Sequence, residues 1–224
     1  MTPLVLALAL TSWLSATPAV ASDRTSQVAI AVREAIQLSI ERGIAAVGRQ
    51  DGFAANPATR IAIPEQLGKI ESVLRLAGQD ERVDRFAVSL NRAAEHAAPA
   101  ARAPLLITAS ELALDDAARI LAAGDTAATD ALRRGALGRA IAALNPAVAE
   151  AMDRVGTARR YKRFVKGSQF GGLVREAPID LEAYVVGHTV EGIFHAIGQE
   201  ERRIRTDPAA RPTARLREVF GAQR

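Results

Sequence analysis

From Ser26 to Gly48 the apolar side chains Val28, Val32, Ile36, Ile40, Ile44 and Val47 recur at steps of four or three. That spacing places one buried stripe on an amphipathic helix. Thr25 or Ser26 is positioned to cap its start, and Gly48 marks its end. Asp51-Gly52-Phe53 through Asn56-Pro57 reads as an ordered loop. Pro64, followed by Glu65, sits at an expected first helical position. Leu67, Ile70, Leu74 and Ala77 then form an inner face, with Gly78 as the stop. A third helix starts at Asp80 and turns Val83, Phe86, Leu90, Ala93 and Ala97 inward. Pro99 and Pro104 are expected to kink or break it.

The pattern continues in the same style. Pro104 to Ala113 is helical again, and Asp115-Asp116 stand where an N-terminal turn favours acid. Ile120-Leu121 is the apolar end of that element, and Gly124 stops it. Asp125 or Thr126 caps a helix to about Leu144, and Asn145-Pro146 restarts one that reaches about Val155. Tyr161 to Ala177 is the least regular stretch and reads as a short helix followed by a mobile loop. Asp180 caps a long helix to about Arg205, with Leu181, Tyr184, Val185, His188, Ile193, Ile197 and Ile204 as its core positions. Thr213 to Phe220 forms a short terminal helix ended by Gly221. No repeat of solenoid length is present. The joints are short, so the expected fold is all-α, a single irregular helical bundle of about seven to nine helices.

Composition agrees with that pattern. Alanine, the best helix former, fills about a fifth of the chain, while aromatic residues make up 4%. There is no cysteine, which excludes disulfides, a thiolate nucleophile, Cys-ligated zinc and iron–sulfur clusters. The first 21 residues carry no charged side chain. An apolar run at Leu4–Leu10, extended by Trp13-Leu14, leads to Ala19-Val20-Ala21. That is the pattern of a secretory signal peptide cleaved after Ala21. The run is too short, and too broken by Ser, Thr and Pro, to be a membrane anchor. The expected organisation is therefore a signal peptide over 1–21 and one all-helical domain over 22–224. The mature chain has no further segment apolar enough to span a membrane.

Export changes the meaning of the charge. A formal net charge of +4 first points to nucleic acid. An exported chain meets anionic lipid and envelope polymers instead, so no nucleic-acid partner is expected. The excess lies in residues 154–224, whereas 22–153 is slightly acidic. Nearly every basic residue is Arg; Lys occurs only at Lys69, Lys162 and Lys166.

A series of short motifs along the chain carries a family likeness. Asp51-Gly52-Phe53, Ile63-Pro64, Asn91-Arg92-Ala93-Ala94-Glu95, Asp116-Ala117, Ile120-Leu121 and Ala127-Ala128-Thr129 occur in order. Asp180-Leu181, Tyr184-Val185, Gly192, Phe194, Glu200-Glu201, Ile204-Arg205, Pro208, Arg211 and Val219-Phe220-Gly221 follow. Together they resemble the bacterial exported family known as Domain of Unknown Function family 4197. The resemblance implies an all-helical exported protein and implies no reaction. Two positions depart from the family pattern, Ala131-Leu132 in place of an aromatic pair and Val186 in place of Thr.

Four polar constellations carry the candidate chemistry. Asn91 and Glu95 lie one helical turn apart, with Arg92 between them. Asp116 and Thr129 are candidate partners from neighbouring helices. These five either line a ligand pocket or form a structural network that fixes helix register, since each must be paired if buried. Next, Glu200 is placed to pair with Arg203 and Glu201 with Arg205, and Arg211 is expected to dock the tail against such a carboxylate. Arg159, Arg160, Lys162, Arg163 and Lys166 form a basic patch interleaved with Tyr161 and Phe164, suited to anionic lipid or simply to a solvated helix end. Finally, His188, Glu191 and His195 share one helix face and are a weak metal candidate. The histidines are seven apart, not the four of a two-His helix site, so no metal or other cofactor is expected.

No Gly-x-Ser-x-Gly elbow, phosphate loop or His-Glu-x-x-His occurs. The expectation is a non-catalytic periplasmic or secreted protein of the cell envelope that binds a partner. An amphipathic small molecule, an anionic envelope lipid or an envelope protein are the partners considered. The alternatives are an envelope hydrolase with a polar or metal-assisted pocket and a purely structural protein.

Overall fold

The computed structural model describes residues 18–166 and 179–222. The expected apolar run of the signal segment and the loop expected at 167–177 lie outside the described residues. The fold is all-α. The first helix, α1, spans Pro18–Gly48. It begins upstream of Thr25 and Ser26, so neither residue caps it. A 3-10 turn at Glu65–Leu67 leads to α2 at Gly68–Leu76. Pro64 stands just before that turn, one place outside the expected helical position. Gly78, at φ 69°, ends α2 because glycine adopts the left-handed conformation without Cβ strain. The Gly78 and Gln79 amides close the end on the Arg75 and Leu74 carbonyls.

Helix α3 spans Asp80–Ala97 and passes through a 3-10 turn at Ala98–Ala101 into α4, Arg102–Ser110. Pro99 sits in that turn and breaks the helix as expected. Pro104 falls in the first turn of α4, where the missing N–H has no intrahelical acceptor, and breaks nothing. Helix α5 spans Leu114–Ala122, and α6 runs unbroken from Ala127 to Val155. The expected restart at Asn145-Pro146 does not occur. Pro146 is exposed, as is Ala142, whose carbonyl it leaves without an intrahelical donor, so the freed carbonyl lies on the solvent side of the helix. The remaining helices are α7, Thr157–Val165, α8, Leu181–Thr206, and α9, Ala214–Gly221. Asp180 and Thr213 cap the last two by accepting from the Ala183 and Leu216 amides.

The buried apolar side chains form one cluster drawn from all nine of these helices. Helix α8 packs along α1 and against α6, while α3 packs on α6 and α7. The predicted stripes face inward, with Val32, Ile36, Ile40, Ile44 and Val47 of α1 all buried. Ala77 and His188 are exposed instead. Gly43 marks where α1 meets α8, because a Cβ there would stand 2.9 Å from the Ile197 backbone nitrogen. Small side chains at the crossings let these helices approach closely, and that is the structural use of the alanine content.

Candidate functional site

The Asn91 amide is buried on α3 and clamps an extended strand of loop. Its Oδ1 accepts from the Ile61 amide at 2.8 Å, and its Nδ2 donates to the Ile61 and Ala87 carbonyls at 2.8 and 2.9 Å. One turn on, buried Glu95 accepts from the Phe53 and Ala54 amides at 3.1 and 3.3 Å. Arg92 donates to Glu95 at 2.6 Å and to Asp51 at 2.8 Å. The Glu95 contact raises the Arg92 pKa above its ordinary value. Asn91, Arg92 and Glu95 therefore hold the 51–61 loop against α3. That loop carries Phe53, fully buried beside Gly192 of α8.

Thr129 belongs to a different network. Buried Glu201 accepts from the Ala128 amide at 3.0 Å and from both the Thr129 amide and hydroxyl at 2.7 Å. These are the second and third amides of α6, whose own cap residue, Thr126, makes no side-chain cap bond. A carboxylate from α8 thus caps α6 at its positive end. Arg205, one turn along, donates to Glu201 at 3.0 Å and to the Ile120 and Leu121 carbonyls at 2.9 and 3.3 Å. Those carbonyls end α5, so the pair Glu201–Arg205 joins the end of one helix to the start of the next. Asp116 stands in neither network and pairs with Arg119 at the surface. The five candidate pocket residues are divided rather than convergent.

The expected pairs of α8 both form, Glu200 with Arg203 at 3.2 Å and Glu201 with Arg205 at 2.9 Å. Glu200 also stands 3.8 Å from Arg42. Buried Arg211 docks the tail by donating to the Ile204 and Arg205 carbonyls at 2.7 Å each, the exposed ends of α8. Both of these contacts are to backbone carbonyls rather than to a carboxylate. On the outer face of α8, His188 packs against Tyr184, Glu191 binds Arg133 at 2.6 Å, and His195 faces Gln199. Among the described residues no group of three His, Cys, Asp or Glu side chains is placed to hold a metal.

Among the described residues no ion pair neutralises the α7 cations of the basic patch. Phe164 is fully buried and lies 4.9 Å from Phe86, and Tyr161 packs on the same ring at 5.8 Å. Burial raises the Tyr161 pKa. These aromatics anchor α7 to α3; Phe164 is not available to stack on a partner, and Tyr161 is half-buried. With them turned inward, the cations of α7 face outward and toward α3. A groove of about 770 Å³ opens between the two helices, lined by Arg159, Arg160, Arg163 and Lys166 on one side and by Arg82 and Arg85 on the other. Sequence reading missed Arg82 and Arg85, because nothing local announces that α7 returns to the start of α3. Lys162 lies on the same helix, exposed, outside this lining.

The fold and this groove define an all-helical protein with a recessed cationic surface. A family model described as protein of unknown function (DUF4197) matches residues 22–221, and the chain belongs to that family. No curated protein and no solved structure matches it.

Proposed function

We propose that the chain is exported, with cleavage after Ala21, and acts in the cell envelope as a non-catalytic binding protein for an anionic partner held at the groove between α3 and α7. The observation that carries this reading is the groove lining, which among the described residues holds six cations and one carboxylate, Glu81. Among the described residues the buried Asn91, Glu95, Thr129 and Glu201 are each already committed to holding backbone in place, and the one buried carboxylate oxygen without a hydrogen bond, Glu200 Oε2, stands 3.8 Å from Arg42. That favours binding over the hydrolase alternative, which needs a buried acid or base free to meet substrate. The family match begins at residue 22, beside the expected cleavage site, which supports export.

The test is flotation of the mature protein with phosphatidylglycerol vesicles against phosphatidylcholine vesicles. Each cation near an anionic surface contributes about 1 kcal/mol. Neutralising Arg159, Arg160 and Arg163 together should therefore weaken binding on the order of 100-fold. Equal binding to the two vesicle types together with no binding of a soluble polyphosphate, or no loss in the triple variant, would overturn the reading. Amino-terminal sequencing of protein from the envelope fraction should begin at Ser22.

A further inference from the structure

The cations of α7 do not form one uniform surface. Arg159, Arg163 and Lys166 are spaced four and three residues apart and line the groove, while Lys162 points elsewhere. Arg160 stands between the groove and a second recess of about 430 Å³, and lines both. Across the gap, Arg85 pairs with Glu81. Arg82 is fixed by Gln79 at 2.8 Å, the Phe164 carbonyl at 3.2 Å and the Lys166 carbonyl. Its Nε is buried without an acceptor. Among the described residues no carboxylate pairs with Arg82, Arg159, Arg160, Arg163 or Lys166. Like charges gathered on two packed helices repel one another, and a bound anion relieves that repulsion.

We infer that this groove takes a ligand bearing two or more phosphate groups. The inference rests on the reading that the groove binds an anion, and it names the chemistry. Three properties point to it. The guanidinium fork matches phosphate oxygens in bidentate fashion, and the free cations here are mostly Arg. Each phosphate offers up to two charges and three strong acceptors, so two or more are needed to answer this many donors. The groove volume lies in the range of small-molecule sites, which suits a compact charge cluster better than a flat bilayer. The shared chemistry is a cluster of phosphates, supplied either by a free condensed phosphate or by a lipid headgroup carrying two phosphates.

Titration calorimetry with tripolyphosphate tests the free form. Flotation with cardiolipin vesicles, against phosphatidylglycerol vesicles of equal total charge, tests the lipid form. Saturable tripolyphosphate binding with a raised melting temperature supports the inference and assigns a free ligand. A preference for cardiolipin of tenfold or more supports it and assigns the lipid. In either case Arg159→Ala and Arg163→Ala should each weaken binding at least tenfold, and Lys162→Ala less than twofold. Equal loss in all three variants would mean attraction to overall charge and would overturn it. So would no tripolyphosphate binding combined with no lipid preference. If phosphatidylglycerol vesicles still bind through the arginines in that last case, the binding reading stands and only the phosphate-cluster inference fails. If no anion binds at all, both fail. The melting shift is read on the wild-type protein, so the result does not depend on any variant folding.

Discussion

At the scale of single residues, the arginine bias of this chain has a chemical use. Arg82 ties down the end of α7, Arg205 the end of α5 and Arg211 the end of α8, each by donating to backbone carbonyls. Those carbonyls lack intrahelical donors, and a planar guanidinium reaches two of them at once where an ammonium offers a single point charge. Glycines divide just as sharply by environment. At Gly192 an added Cβ would stand 2.4 Å from the Phe53 ring, whereas at Gly187 of the same helix nothing lies within 4 Å. Gly192→Ala should destabilise the protein by about 1–3 kcal/mol through overpacking. Gly187→Ala should stabilise it by roughly 1 kcal/mol through helix propensity. Urea unfolding of the two variants checks both signs, and a stable Gly192→Ala would mean that the Phe53 loop yields easily.

At the scale of elements, the locks act between helices. Glu201 supplies the cap that α6 lacks, and Arg205 closes α5 beside it. Removing one member of a buried pair leaves the other charge unpaired, at a cost of about 3–5 kcal/mol. Glu201→Ala should lose at least that much in equilibrium unfolding, with amide exchange rising first at Ala128 and Thr129. A loss below about 1 kcal/mol would show that water replaces the carboxylate cheaply. The helices themselves were largely legible in sequence, since the stripe Val32-Ile36-Ile40-Ile44 and the caps Asp180 and Thr213 are local signals. The exceptions have physical reasons. Pro146 sits on the exposed side of α6, where the freed carbonyl is open to solvent rather than buried, so a residue that normally breaks helices is tolerated. Asn91 and Glu95 were legible as a buried polar pair, but their partners, 30 and 41 to 42 residues away, were not.

At the scale of the whole molecule, surface pairs knit the bundle without burying charge. Glu41 on α1 meets Arg102 on α4, and that hydrogen-bonded contact holds the Glu41 carboxyl below its ordinary range. A depressed carboxylate contributes stability that is present above the unfolded pKa and lost as pH falls through the folded value. Solvent screens this exposed pair, so its contribution is small. Carboxyl-carbon NMR should show Glu41 titrating lower than an ordinary glutamate. In Arg102→Ala the midpoint should rise back to the usual range; no movement would mean the pair does not persist in solution. No helix among the described residues is long and apolar enough to cross a membrane.

The sequence by itself determined the helices, the inward stripes and the intrahelical pairs of α8, because these depend on spacings of three and four along one chain. It also brought the α7 cations to notice as a run. Only the tertiary structure decided what the polar residues do. It set Thr129 with Glu201 rather than with Glu95, left Asp116 at the surface, buried Phe164 and packed a half-buried Tyr161 beside it. It also brought Arg82 and Arg85 across from α7 to complete the groove. Those outcomes depend on which helix ends meet, and helix packing places together residues that no local periodicity relates.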